Sequence, residues 1–187
     1  MFKIADQVFR INKAHFHARV SRDGDGWRLH WHVDFGGEGK EVNGNEWEPE
    51  ISSQGLQLEL PGFSSWSGVE CAVADAAEDE LYPFRVHVFE QMPLRQARLK
   101  FGTWQGQRID LALTGLADLY ADEDYQENLP VTVRCNLPFR VIVADADDLA
   151  QAEAAVEKFF DRKRLCAGRP GDESGEFVFE VEASSAD

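Results

Sequence analysis

Alternation of apolar and polar residues recurs along this chain and constrains its fold more than any other feature. Leu56, Leu58 and Leu60 alternate with Gln57 and Glu59. Phe84, Val86 and Val88 alternate with Arg85 and His87, and Ala97, Leu99 and Phe101 with Arg98 and Lys100. Ile109, Leu111 and Leu113 are offset by Asp110 and Ala112. Val131, Val133, Cys135 and Leu137 are offset by Thr132, Arg134 and Asn136, and Phe177, Phe179 and Val181 by Glu180 and Glu182. A strand turns successive side chains to opposite faces, so each run offers one side to a core and one to water. That is the pattern of antiparallel sheet. Gly- and Asp-rich breaks at 23–26 and the stretch 104–107 read as hairpin tips. The polar stretch from Gly36 reads as a long loop, and a second loop breaks at Pro61.

The segment from Ala14 to Asp34 permits a register to be worked out. A two-residue tip at Gly24-Asp25 pairs Asp23 with Gly26, and the ladder then pairs Val20 with Leu29, Ala18 with Trp31 and Phe16 with Val33. All six ladder residues fall on one face, which supports this register, because a one-residue slip would send them to solvent. The opposite face then carries His15, His17 and Arg19 beside His30, His32 and Asp34, with His17 directly across from His32.

One segment breaks the period. From 145 to 165, Leu149, Ala152, Val156, Phe159 and Phe160 form a helical stripe. Asp145 or Asp147 is placed to cap its start, and basic residues crowd its end. A weaker helix is suggested at 114–125. The echo between 83–88 and 138–143 has no matching flanks and reads as two similar strands rather than a repeat. The expected fold is α+β, predominantly antiparallel β, sandwich-like or a strongly twisted sheet. One C-terminal amphipathic helix (about 145–165) is followed by a final strand. The expected organisation is a single domain over 1–187 with a short polar tail at 183–187.

Composition narrows the functional classes. The 187 residues include 34 acids against 19 bases, for a formal charge of −15. Such a surface does not suit a phosphate backbone or an anionic membrane. It suits a basic protein partner, whose encounter it would accelerate. Three widely spaced cysteines, Cys71, Cys135 and Cys166, form neither a disulfide framework nor a zinc ribbon, and no apolar stretch reads as a signal or a membrane span. A cytoplasmic protein is expected. No Walker, dinucleotide-binding or zincin pattern is present, and the glycines around Ser64, Ser65 and Ser67 are misplaced for a nucleophile elbow.

Two sets of residues remain as candidate sites. The first is the acidic runs, Glu78, Asp79 and Glu80, and Asp122, Glu123 and Asp124 with Tyr120 and Tyr125 interleaved; Trp66 is a further candidate anchor. Tyrosine contributes packed area and carboxylates contribute steering, so these residues suit the capture of a basic protein. The second is His15, His17, His30 and His32. His-x-His on a strand projects both rings from one face, and a cross-strand His or Asp34 would complete a ligand set for a divalent metal such as zinc. The expectation is a non-enzymatic acidic binding protein that needs no cofactor and recognises and neutralises another protein. Its most concrete form is an immunity-type inhibitor of a bacterial toxin or effector. The alternative is a metal-binding protein or metal-dependent enzyme built on the histidine face.

Overall fold

The computed structural model describes residues 1–24, 26–58, 60, 66–75, 82–105, 107–121 and 124–182, with the backbone alone at 121, 124, 125 and 140. The fold is mostly β, with antiparallel pairing dominant and one α-helix among the described residues. Its organising element is β13 (Asp124–Asp145), a strand of 22 residues. From Asp124 to Pro138 it pairs antiparallel with β12 (Arg108–Ala121). From Phe139 to Ala144 it pairs instead with β3 (Ile11–Asp23), and from Val141 to Asp145 with β15 (Glu176–Glu180).

One strand therefore serves two half-sheets. The first runs from β8 (Glu70–Ala72) through β11 (Arg95–Gln105), β12 and β13 to β1 (Phe2–Ile4) and β2 (Gln7–Phe9). The second runs from β10 (Gln91–Pro93) through β9 (Phe84–His87), β7 (Glu50–Ser53), β4 (Gly26–Gly37) and β3 to the end of β13. It then continues through β15 to β14 (Arg169–Pro170).

The register of β13 slips between Phe139 and Ile142. Before the slip, Val131, Val133, Leu137 and Phe139 are buried; after it, Ile142 and Ala144 are. The extra residue reverses the strand's phase, as a bulge does, and redirects its apolar side. The slip also separates the two echoed hexapeptides: Phe84 and Val86 keep one phase, whereas Phe139 and Ile142 do not.

The half-sheets meet over aromatic rings. Phe16 and Trp31 come from the second half-sheet, Phe101 and Trp104 from the first, and Phe139 stands at the crossing. Ring centroids lie 5.1 Å apart for Phe16–Phe139, 5.8 Å for Phe16–Phe101 and 5.9 Å for Trp104–Phe139. Trp66 fills the centre, 5.0 Å from Trp31 and 5.3 Å from Phe139. Each ring buries a large apolar area, and edge or tilted contacts suit their quadrupoles.

The β3–β4 hairpin has the expected register, Phe16↔Val33, His17↔His32, Ala18↔Trp31 and Val20↔Leu29 among its pairs. Elsewhere the sequence reading needs correction. The pairing of β3 with β13 is parallel. The helix α1 spans only Leu149–Val156. Asp145 belongs to β13, and Asp148 caps the helix, its side chain accepting from the Gln151 amide at 2.8 Å. The basic residues 162–164 lie in a separate 3-10 turn, which Asp161 caps. Of the helix expected at 114–125, residues 114–121 lie in β12 and 124–125 in β13, with Ala117 and Leu119 buried, and 122–123 lie outside the described residues. Leu56 makes an isolated bridge to Trp31, after Gly55 turns the chain with φ +65, and Gln57, Leu58 and Leu60 belong to no strand, while Glu59 lies outside the described residues. The polar loop holds a small hairpin of β5 (Lys40–Val42) and β6 (Asn45–Trp47). Its Asn43-Gly44 turn takes positive φ at both positions, which Asn-Gly tolerates.

If Phe139 is the pivot of the core, Phe139→Ala lowers the unfolding free energy by about 3–5 kcal/mol. Val8→Thr, at a half-exposed position, stays within about 0.5 kcal/mol. Urea denaturation of the two variants checks the contrast.

Candidate functional site

The outer face of the second half-sheet carries the histidines. His17 and His32 stack in parallel, with ring centroids 4.8 Å apart and planes 7° from parallel. His15 is exposed, and a ring nitrogen of His30 lies 3.3 Å from the Gly55 carbonyl oxygen. Arg19, on the same face, is neutralised. Its Nε and Nη2 donate to Asp145 at 2.9 and 2.7 Å, and Nη2 also donates to Glu176 at 2.8 Å. Arg19 therefore ties β3 to β13 and β15.

In this arrangement the four histidines are not gathered as a ligand set. A metal binds imidazole through the lone pair in the ring plane. Two nearly parallel planes direct those lone pairs side by side instead of toward a common point, and His30 is turned to a carbonyl. Among the described residues, no three His, Cys, Asp or Glu side chains are grouped to hold a metal ion. What adjoins His15 and His17 is an open groove of about 390 Å³, lined also by Ala14, Pro138, Val141 and Val143.

Burial, and then the charge His32 would carry, lower the His17 pKa from 6.5 to about 4. Burial also lowers that of His32. The stack is therefore a neutral pair at pH 7. A histidine whose folded pKa is depressed takes up its proton in the unfolded chain first. The resulting stabilisation is full above pH 6.5 and is lost as the pH falls toward 4. In urea titrations at pH 7 and 4.5, the wild type should lose more stability on acidification than His17→Gln. Equal losses would remove the histidine stack as the cause.

The second candidate region is the arm where β12 turns into β13. Beyond the Arg95↔Leu116 pair, β12 has among the described residues only β13 as a ladder partner, through Tyr120↔Tyr125 and Ala121↔Asp124. A bulge between Ala117 and Leu119 turns Asp118 into the base of this arm. The carboxylate is nearly buried and accepts from Arg95 Nη1 and Nη2, both at 2.6 Å, and from the Asn128 amide at 2.8 Å. Asn128 holds a left-handed φ of +55 and accepts from Arg95 at 3.1 Å. A bidentate guanidinium–carboxylate pair fixes orientation as well as charge, so the arm leaves the sheet at a set angle. Sequence reasoning did not find this lock; Asn128, a residue that tolerates left-handed backbone, was the one available signal.

The other expected contact residues divide plainly. Tyr120 is 48% exposed, on the arm. Trp66 is 1% exposed at the centre of the aromatic core, so it is a packing residue and not a surface anchor; the apolar demand between the half-sheets outweighs its Ser- and Gly-rich surroundings. The backbone of Asp124 and Tyr125 forms the arm's second strand. Glu78, Asp79, Glu80, Asp122 and Glu123 lie outside the described residues. No helix among the described residues is long and apolar enough to cross a membrane.

Asp118→Ala leaves the Arg95 guanidinium without its carboxylate and should cost about 3 kcal/mol, as breaking a largely buried pair does. Hydrogen exchange should localise the loss to the amides around 117–128.

Comparison with protein-family models finds no match, nor do curated protein sequences or solved structures yield one.

Proposed function

We propose that this chain is a non-enzymatic acidic binding protein, cytoplasmic in location, that captures a basic protein. Its most concrete form is an immunity-type inhibitor that binds a bacterial toxin or effector in a stoichiometric complex. The observation that carries this reading is the β12–β13 arm. It combines a formal charge of −15 on the whole chain, an exposed Tyr120, and a base locked by Asp118 and Arg95. Glu127, exposed on the same arm, adds a carboxylate to the run Asp122, Glu123 and Asp124.

Preorganisation gives the arm its advantage. A loop that must be ordered on binding loses affinity to that ordering, whereas an arm held at its base does not. Tyrosine adds rigid amphipathic area, and the acids raise the encounter rate with a cationic surface. An inhibitor of this kind needs no reacting group, only a surface that fits and excludes.

The test begins with a partner captured from the source organism on immobilised protein. Its association rate should fall as salt is raised, because screening weakens steering. Tyr120→Ala combined with Glu127→Lys should weaken the complex by about tenfold or more. A salt-insensitive association rate, or an unchanged affinity in the double variant, would reject the arm as the binding surface.

A further inference from the structure

The outer face of the first half-sheet runs against the charge of the rest of the chain. Two cross-strand rows define it. One places Lys3 of β1 beside Thr132 of β13, Thr114 of β12 and Arg98 of β11. The next places Arg134 of β13 beside Ala112 of β12 and Lys100 of β11. Four cations thus stand at the corners of a floor made of Ala112, Thr114 and Thr132. Arg98 contacts Glu70 at 3.4 Å, but the side chains of Lys3, Lys100 and Arg134 form no ion pair among the described residues. Lys100 has Glu70 as its cross-strand neighbour on the outer side, with no ion pair between them. Elsewhere Arg10, Lys13, Arg19, Arg28, Arg95, Arg162 and Arg169 are each ion-paired. Arg22, Lys40, Arg85, Arg108, Lys158 and Lys163 form no ion pair among the described residues, but what sets this face apart is that three such bases gather on adjacent strands.

We propose that this face is a docking trough for an extended acidic peptide segment, laid along β12 between walls of basic side chains. The dimensions fit. Strands about 4.8 Å apart put β11 and β13 about 10 Å apart, room for one extended chain, with Lys3 on β1 one strand further out, about 14 Å from β11, beyond Thr132. Residues two apart on a strand are separated by roughly 6.8 Å, so Lys100 and Arg98 match, in that order, the i and i+2 side chains of such a peptide. Its i+1 and i+3 side chains then reach Arg134 and Lys3 on the other side. A run of four acids satisfies all four corners. The floor carries no side chain larger than threonine, so the peptide backbone approaches the sheet, and the Thr114 and Thr132 hydroxyls are available to it. Part of the trough is a groove of about 370 Å³ lined by Lys100, Gly102, Asp110, Ala112 and Arg134. Asp110, bonded to the Asn136 amide at 2.8 Å, closes that end against further acids.

A peptide fits better than a nucleic acid. The chain's net charge of −15 repels a long polyanion, which extends beyond the trough. Single strands are also gripped by stacking on aromatic rings, and the two rows that form the trough include none. The inference does not depend on the β12–β13 arm or on the function proposed for it.

The test uses fluorescein-labelled deca-glutamate at low ionic strength, read by fluorescence anisotropy. Two variants share one net charge: Lys100→Glu with Arg134→Glu in the trough, and Arg22→Glu with Lys163→Glu at exposed positions elsewhere. The wild type and the distant variant should bind alike, and the trough variant should bind about tenfold more weakly. Should charge reversal impair folding, Lys100→Gln with Arg134→Gln gives the same comparison and should weaken binding in the same sense. Equal losses in both charge-reversal variants, or no binding to the wild type, would overturn the proposal. So would ten-nucleotide oligo-dT binding as tightly as deca-glutamate.

Discussion

The structure depends on the passage of β13 from one half-sheet to the other at Phe139. Up to Pro138 the strand is the antiparallel neighbour of β12; beyond it, the parallel neighbour of β3. A sheet that bends in this way must fill the angle between its halves. Phe139, Phe16, Phe101, Trp31 and Trp66 do so with rings from both sides. The bulge after Phe139 is what allows one strand to present apolar residues to a core that changes direction. Arg19, bound to Asp145 and Glu176, holds the same junction from the outer face.

Much of the local structure was legible because alternation is a local property. The β3–β4 register followed from the apolar set Phe16, Ala18, Val20, Leu29, Trp31 and Val33, and the histidines then fell where they do by parity alone. The pairing of Gln105 with Arg108, at the turn end of β11 and β12, was legible for the same reason. The long-range arrangement was not. Nothing near Phe139 in sequence states that its partner is Phe16, or that the pairing is parallel. The helix was overextended because Phe159 and Phe160 continue a helical spacing after the helix has ended. They are placed by tertiary contact, as Phe160 is against Trp31. The segment 114–125 looked helical by composition, but its inward residues Leu113, Ala117 and Leu119 answer to the sheet.

The candidate sites show the same division. The histidine cluster was found by spacing, yet its chemistry was decided by ring orientation, which spacing does not contain. Trp66 looked like an anchor because its neighbours are polar, and it proved to be central to the core. The acidic arm was visible as composition, but the Asp118–Arg95–Asn128 lock that positions it required the bulge. The charge is unevenly spread: Lys3, Lys100 and Arg134 stand without ion pairs among the described residues on the outer face of the first half-sheet of a chain with a formal charge of −15. Net charge therefore describes the far field of this protein and not each of its faces.

The parallel contact between β3 and β13 has a consequence for how the chain is made. The β3–β4 hairpin is local and can form as soon as its residues are available. Its apolar side, with Phe16 and Trp31, meets Leu56, Trp66 and Phe101 from residues made soon after it, whereas Phe139 comes later and Arg19 waits longer still for Glu176. Until Phe139 is made, that aromatic sheet face is covered only in part. Closure must also wait for contacts of high sequence separation, which are slow to form.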